Sequence, residues 1–295
     1  MLNPDLPVLN DPESERLPAG LPAVVDAHVH VFPPNLFSAV WQWFDENAWS
    51  IRYRMNTRQV FDFLLSRGLR HVVALQYAHR PGIAETLNRY MAKEICAYRG
   101  RVTGMATVFP GEDDTEGILR RAFGLGLGGV KLHAHVQCFD MVAEAMKPIY
   151  EVCQAQYKPI IMHVGREPKS PAYRCDPHAI CSAGRLEQIL AAYPDLRICV
   201  PHLGFDELTS YRRLAASYDN LWLDTTMVLT DYFPLAEVVD LRDYRPERIM
   251  YGSDFPNIPY AWDRELKCLD GAGLERSALD RLLWQNAAEF YQFEI

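Results

Sequence analysis

The sequence predicts a (β/α)8 barrel, on three observations: eight short apolar runs with strand character, amphipathic stretches between them, and reactive polar side chains at the C-terminal ends of several runs. The runs are AVVDAHVHV (23–31), HVVALQY (71–77), RVTGMATVF (101–109), GGVKLHAHV (128–136), KPIIMHV (158–164), LRICVPHL (196–203), LWLDTT (221–226) and RIMYGSD (248–254). Between them, AETLNRYMAKEICAYR (84–99), MVAEAMKPIYEVCQAQ (141–156) and GRLEQILAAY (184–193) place apolar residues at helical spacing. Several of these helices stop at Gly or Pro just before the next strand, as in YRGRV and AYPDLR. Continuous apolar strands separated by helices mean a parallel sheet covered on its outer face, and eight such units close naturally into a barrel.

Two segments interrupt the alternation. Residues 33–66, rich in aromatic side chains, form an insertion after the first strand, and residues 165–183 form a long loop after the fifth. Both leave from C-terminal ends of strands and should overhang the barrel mouth, where substrate selectivity is expected to lie. Residues 1–21 are Pro-rich and polar and read as an extended arm, which leaves residues 22–295 as a single barrel domain. A chain of 295 residues, 49% of them hydrophobic, has ample material for one large core.

The formal charge of −8, with no basic run, argues against nucleic acid or an anionic membrane surface as partner. The N-terminal segment lacks both a positive start and a long apolar stretch, so neither a secretion signal nor a membrane anchor is expected, and a cytoplasmic location follows by default. Seven scattered cysteines read as free thiols rather than as a disulfide framework. CDPHAIC, with Cys175, His178 and Cys181, has a spacing compatible with a metal, but it lacks a fourth ligand nearby and reads better as a packing cluster that stiffens its loop. GLGLGG (124–129) precedes a strand where a dinucleotide fingerprint must follow one, and no GxSxG or Walker motif occurs.

The chemistry is concentrated in five residues: His28 and His30 in VVDAHVHVF, His163 in PIIMHVG, His202 in RICVPHLG and Asp254 in RIMYGSDFP. Alternation along a strand points His28 and His30 the same way, so they can hold one ion between them. His163 and Asp254, from later strand ends, would complete an N3O set with room for water, the open pattern of a catalytic metal. One divalent ion is expected, zinc first, with manganese, iron or cobalt also compatible with these donors.

The order of HxH, then GVKLHAH, HVG, PHLG and YGSDFP at successive strand ends resembles the amidohydrolase superfamily, over residues 23–290. The short form is most similar to its amidohydrolase-2 branch, which includes hydrolases of small acids and lactones and the non-oxidative decarboxylases related to aminocarboxymuconate semialdehyde decarboxylase. The resemblance implies His28, His30, His163 and Asp254 as metal ligands, His202 as the neighbouring base or electrophilic partner, and Asp254 as a second proton carrier. For Lys131 it leaves two roles open, a carboxylated bridge between two ions or a cation facing the substrate, and a single ion with an uncarboxylated lysine is favoured.

Alternation places Lys131, His133 and His135 on one face. Arg80, Arg166 and Arg174 follow strand ends and are candidates, with Lys131, to hold an anionic small-molecule substrate. Trp41, Trp43 and Trp49 would give a planar ring a flat wall or form the insertion's own core, and exposed aromatics there would suit a homodimer contact. The expected activity is hydrolysis of an ester, lactone or amide in a small carboxylated molecule. Non-oxidative decarboxylation of an aromatic or unsaturated acid is the alternative, and a catalytically silent barrel is a third reading.

Overall fold

In the computed structural model, described for residues 10–166, 170–232, 235 and 237–295, eight parallel strands follow the chain in order. They are β1 (Val25–His30), β2 (His71–Leu75), β3 (Val102–Gly104), β4 (Val130–His133), β5 (Ile160–His163), β6 (Ile198–Val200), β7 (Leu221–Asp224) and β8 (Ile249–Met250). Each is shorter than its apolar run. The strands pair as β1-β2-β3 and β4 through β8. Across the two seams, parallel bridges join Ala106 to Val130 and Val29 to Phe255. Backbone bonds from Lys131 to the Ala106 carbonyl, from Ala27 to that of Tyr251 and from His30 to that of Phe255 carry the ladder round the ring. The chain has the TIM-barrel fold.

One buried row runs through Val25, Val73, Met105, Ile161, Cys199, Trp222 and Met250 and is packed from below by Ala287, Phe290 and Tyr291 of the last helix (Asn286–Tyr291). Neighbouring strands register Lys131, Ile161, Cys199 and Trp222 in line, so the fully buried Lys131 stands where the other strands carry apolar side chains. Below the row, His71 stacks on Phe293 with ring centroids 3.9 Å apart. The lower end of the barrel is therefore a dry plug.

The insertion after β1 folds as two helices, Pro34–Asn47 and Thr57–Ser66. The second begins in a capping box between Asn56 and Gln59. Trp41 stacks on Phe37, and Trp49 donates its indole N–H to the Asn257 carbonyl at 2.8 Å, so these rings serve as packing for the insertion. Trp43 instead stacks on Tyr173 of the loop after β5, which spans the mouth.

Of the arm, residues 1–9 lie outside the described residues. Residues 11–17 are laid over the barrel: Asp11 pairs with Arg264, Ser14 bonds Asp263 and Trp262, and the Leu17 N–H reaches the Arg67 carbonyl. All seven cysteines are free thiols, and no described helix is long and apolar enough to cross a membrane.

β1 carries an irregularity beyond the shared face of His28 and His30, and one local expectation fails. Regular alternation along β1 is broken, because Asp26 registers with Val72 but Val29 with Ala74, three residues against two. This bulge re-aims the strand next to the site, so Asp26 does not share the face of His28 and His30. The fourth strand stops at His133 and turns into the helix Ala134–Gln137, so strand alternation does not set the direction of His135. The buried Gln137 side chain decides this: its Oε1 accepts from the His133 N–H, and its Nε2 donates to the carbonyls of Ala78 and Val108.

Candidate metal centre

The upper end of the barrel gathers most of the expected residues. His28 and His30 lie in the last half of β1, and Asp254 lies in the turn after β8, where its N–H bonds the His28 carbonyl at 2.9 Å. Gly252 permits the close approach of the two strand ends, since a Cβ there would stand 2.7 Å from that of His28. The ligand-type atoms converge: His28 Nε2 lies 3.2 Å from His30 Nε2 and 3.4 Å from Asp254 Oδ1, and His30 Nε2 lies 3.0 Å from the same oxygen. Donors about 2.1 Å from a common ion would be separated by about 3.0 Å at octahedral and about 3.4 Å at tetrahedral edges, so these three fit a first-row divalent metal.

Their charge states suit it too. Burial, with the Lys131 ammonium beside it, holds His28 well below the ordinary imidazole range, and burial also lowers His30. Burial opposes ionisation of Asp254, but the hydrogen bond with His30 and the neighbouring imidazoles outweigh it and bring the carboxyl to about 2. Two neutral imidazoles and a carboxylate are the forms a metal takes.

The supporting residue that motif reading missed is Asp224, at the end of β7. Its Oδ2 accepts from His28 Nδ1 at 2.8 Å, which fixes the tautomer and leaves Nε2 for the ion. Its Oδ1 accepts from the His202 and Thr226 N–H groups at 3.1 and 3.2 Å. Asp224 sits in LWLDTT in the same kind of position as the other five, a polar residue ending an apolar run, and that signal would have found it. Asp26 is also buried, bonded to Ser253 and raised to about 7, chiefly by burial. It acts from behind the bulge.

His202 lies in the turn after β6 with a left-handed φ of 57°. Its Nδ1 stands 2.9 Å from the Thr226 carbonyl, which can only accept, so the proton resides on Nδ1. Nε2, buried and without a hydrogen-bond partner among the described residues, carries the lone pair. Lys131 Nζ is 3.3 Å from His28 Nε2.

His163, expected as the fourth ligand, ends β5 at the same mouth. One of its ring nitrogens lies within 4.8 Å of those of His133 and His135, in a trio separate from the His28, His30 and Asp254 group. The His202 ring connects the two groups, 4.7 Å from that of His163 and 5.9 Å from that of His28. Tyr77 also touches both, edge-on to His30 at 5.7 Å and to His133 at 4.9 Å.

Among the arginines, Arg166 donates to the Cys181 carbonyl at 2.9 Å and faces Glu207 at 3.5 Å, which ties the loop after β5 to the loop after β6. Arg174 is exposed, with long contacts of 3.3 and 3.4 Å to the carbonyls of His79 and Val136, and Arg80 is exposed on the turn after β2. In CDPHAIC, the Cys175 thiol lies against the His135 carbonyl and Asp176 caps the short helix Pro177–Ile180.

Comparison with known proteins decides the family. The amidohydrolase family model matches residues 25–293. The chain belongs to this family. No curated protein matches it. Among solved structures, it is similar to 5-carboxyvanillate decarboxylase of Novosphingobium aromaticivorans complexed with manganese and 4-hydroxy-3-methoxy-5-nitrobenzoic acid, at 16% identity and a TM-score of 0.69, covering 96% of this chain and 100% of that one. An uncharacterised TIM-barrel protein of Bordetella bronchiseptica gives 15% identity and a TM-score of 0.70 over 91% and 98% of the two chains. A probable 2-pyrone-4,6-dicarboxylic acid hydrolase of Acinetobacter baumannii, with citric acid bound, gives 16% and 0.61 over 92% and 100%. At these identities the likeness is one of fold.

Proposed function

We propose that this amidohydrolase is a metal-dependent hydrolase of a small carboxylated ester, lactone or amide. The ion is assigned to His28, His30 and Asp254, with His163 as the expected fourth ligand, zinc expected and manganese accepted by the same donors. The observation that carries the reading is the orientation of His202: with Nδ1 bonded to the Thr226 carbonyl, the Nε2 lone pair is presented beside the metal ligands as a base. A divalent ion bound there would supply a water acidic enough to lose its proton near neutral pH.

Each residue then has a distinct task. His202 accepts a proton at Nε2 and returns it to the leaving group, while the Thr226 carbonyl holds the Nδ1 proton and stabilises the imidazolium. Asp224 fixes His28 and the His202 backbone with one carboxylate. Lys131 offers an ammonium to a substrate oxygen, and Arg80 and Arg174 offer cations at the rim. Tyr77, and Tyr173 under Trp43, wall the approach and exclude water.

Decarboxylation of an aromatic acid is the second reading. It is favoured by these aromatic walls and by the fold shared with 5-carboxyvanillate decarboxylase, and in it His202 would deliver a proton to carbon. The test is to incubate metal-loaded protein with a panel of lactones, esters, amides and hydroxybenzoates, scoring bond opening and carbon dioxide separately. Water-dependent opening without gas, reduced about 10²-fold in His202→Asn with metal content retained, is the expected result. Gas release from a hydroxybenzoate would transfer the site to the second reading. Full turnover in His202→Asn would remove this residue from either mechanism.

A further inference from the structure

Outside the metal centre, two of the seven free thiols meet beside the mouth. Cys138 closes the single helical turn Ala134–Gln137 after β4, at a left-handed φ of 55°, and Cys175 lies in the loop after β5. Their Sγ atoms stand 3.9 and 3.8 Å from one acceptor, the His135 carbonyl oxygen, and the Cys175 thiol also hydrogen-bonds that of Cys138. Both are half-buried, whereas Cys153, Cys181 and Cys199 are buried and Cys96 and Cys268 are exposed on helical segments.

The two thiols belong to segments held with unequal strength. The turn that carries Cys138 is anchored by Gln137, through three hydrogen bonds to the His133 N–H and the carbonyls of Ala78 and Val108. The segment that carries Cys175 rests on this turn through weaker contacts. Arg174 reaches the His79 and Val136 carbonyls at only 3.3 and 3.4 Å, and Tyr173 packs edge-on to His135 at 5.4 Å and stacks on Trp43 at 5.6 Å. Cys175 itself sits in a bend with neither helix nor strand, so its backbone is free to make the small adjustment that disulfide geometry requires. Cys138 lines a surface cavity together with Phe109, Phe139, Met146 and Arg174, which gives a small molecule access to this sulfur from solvent.

We propose that Cys138 and Cys175 are a site of reversible oxidation by low-molecular-weight disulfides, and that closing the pair pins the loop after β5, with Tyr173, across the barrel mouth. The chemistry is two successive thiol–disulfide exchanges. Cys138, as thiolate, attacks one sulfur of the external disulfide; that S–S bond breaks, and one small thiol leaves with the proton given up by Cys138. Cys175 then attacks the mixed disulfide at the Cys138 sulfur, and the second small thiol leaves with the Cys175 proton. Two protein thiols are oxidised and one external disulfide is reduced to two thiols. Burial and the contact with Cys138 push the Cys175 thiol up to about 12, which suits it to the second, resolving step rather than to the first. The consequence for turnover rests on the proposed function: a substrate reaches the metal ligands past Tyr173, and a pinned loop slows its entry.

The test exposes the full chain to oxidised glutathione, alkylates the remaining thiols and maps unreduced peptides by mass spectrometry. A Cys138–Cys175 link is expected in the wild type, with the other five cysteines alkylated. Cys175→Ser should stop at a glutathione adduct on Cys138, and Cys138→Ser should give no link. A Cys175–Cys181 link, or adducts confined to the exposed Cys96 and Cys268, would overturn the proposal. Hydrogen exchange over residues 170–176 should slow by about tenfold or more on oxidation and recover with dithiothreitol. Unchanged exchange in the linked protein would overturn the pinning. Neither readout needs a substrate, so both stand whether or not the hydrolase reading does. On any substrate turned over by the reduced protein, oxidation should lower kcat/KM in the wild type and leave it unchanged in Cys175→Ser; an equal fall in that variant would overturn control through this pair.

Discussion

The two ends of this barrel are built on opposite principles. The lower end buries Val25, Met250 and Trp222 against Phe290 of the terminal helix, with the His71 and Phe293 rings stacked beneath. At the upper end, His28, His30, Asp224 and His202 are buried at the strand tips, and most of the non-glycine residues with positive φ cluster there. Cys138, His202, Leu203, Phe205, Met227, Asp231 and Asp254 all follow the C-terminal ends of strands, against Tyr157 and Gln292 elsewhere. Left-handed backbone costs about 1–3 kcal/mol per non-glycine residue and persists only where the surroundings over-determine it. The apolar end supplies stability, and the polar end draws on it to hold imidazoles and carboxylates in close contact.

The comparison breaks most readily at Asp254. Asp254→Ala should lower metal content and cut turnover by about 10³-fold or more while leaving the melting temperature near that of the wild type. Elemental analysis beside a thermal melt would decide, and full metal content would refute the ligand assignment. Phe290→Ala should do the reverse, costing about 3–5 kcal/mol in denaturant unfolding with metal stoichiometry unchanged.

His71 sharpens the contrast through pH. Burial lowers its pKa from 6.5 to about 4. The unfolded chain therefore takes up the proton first as pH falls, so this contribution is intact above about 6.5 and is lost progressively down to about 4, by at most about 3 kcal/mol. In His71→Gln that part of the pH slope should vanish, and an unchanged slope would exclude His71. The smallest expected effect is Asp224→Asn, which should weaken metal affinity by about 10–100-fold through loss of the bond that orients His28. Unaltered affinity in competition with a chelator would show that His28 needs no such partner.

Much of this contrast was legible in the sequence, because polar residues at the ends of apolar runs stand out against their surroundings. All eight strands lie within those runs, and the five polar residues singled out lie towards their C-terminal ends. What escaped depends on contacts between distant segments. The bulge at Asp26 exists because β1 must match β2 on one side and the Tyr251–Phe255 segment on the other, and nothing within VVDAHVHVF requires it. HAHVQ has strand-like alternation, yet it turns because Gln137 finds carbonyls at Ala78 and Val108, far away in sequence. Spacing put His163 at the correct end of the barrel, but its neighbours follow from the β4–β5 register. Arg166 looked like a substrate anchor, because a guanidinium past a strand end reads the same whether it meets a ligand or Glu207.

The arm adds a consequence for the order of assembly during synthesis. Ser14 bonds Asp263 across 249 positions of sequence, and the bond between His28 and Asp224 crosses 196. A chain emerging from the ribosome presents His28 and His30 long before Asp224 and Asp254 exist, so the nascent protein holds only part of its metal site. Tight capture of the ion must wait until the last strand and the arm meet, which makes metal retention a built-in signal that the barrel has been completed.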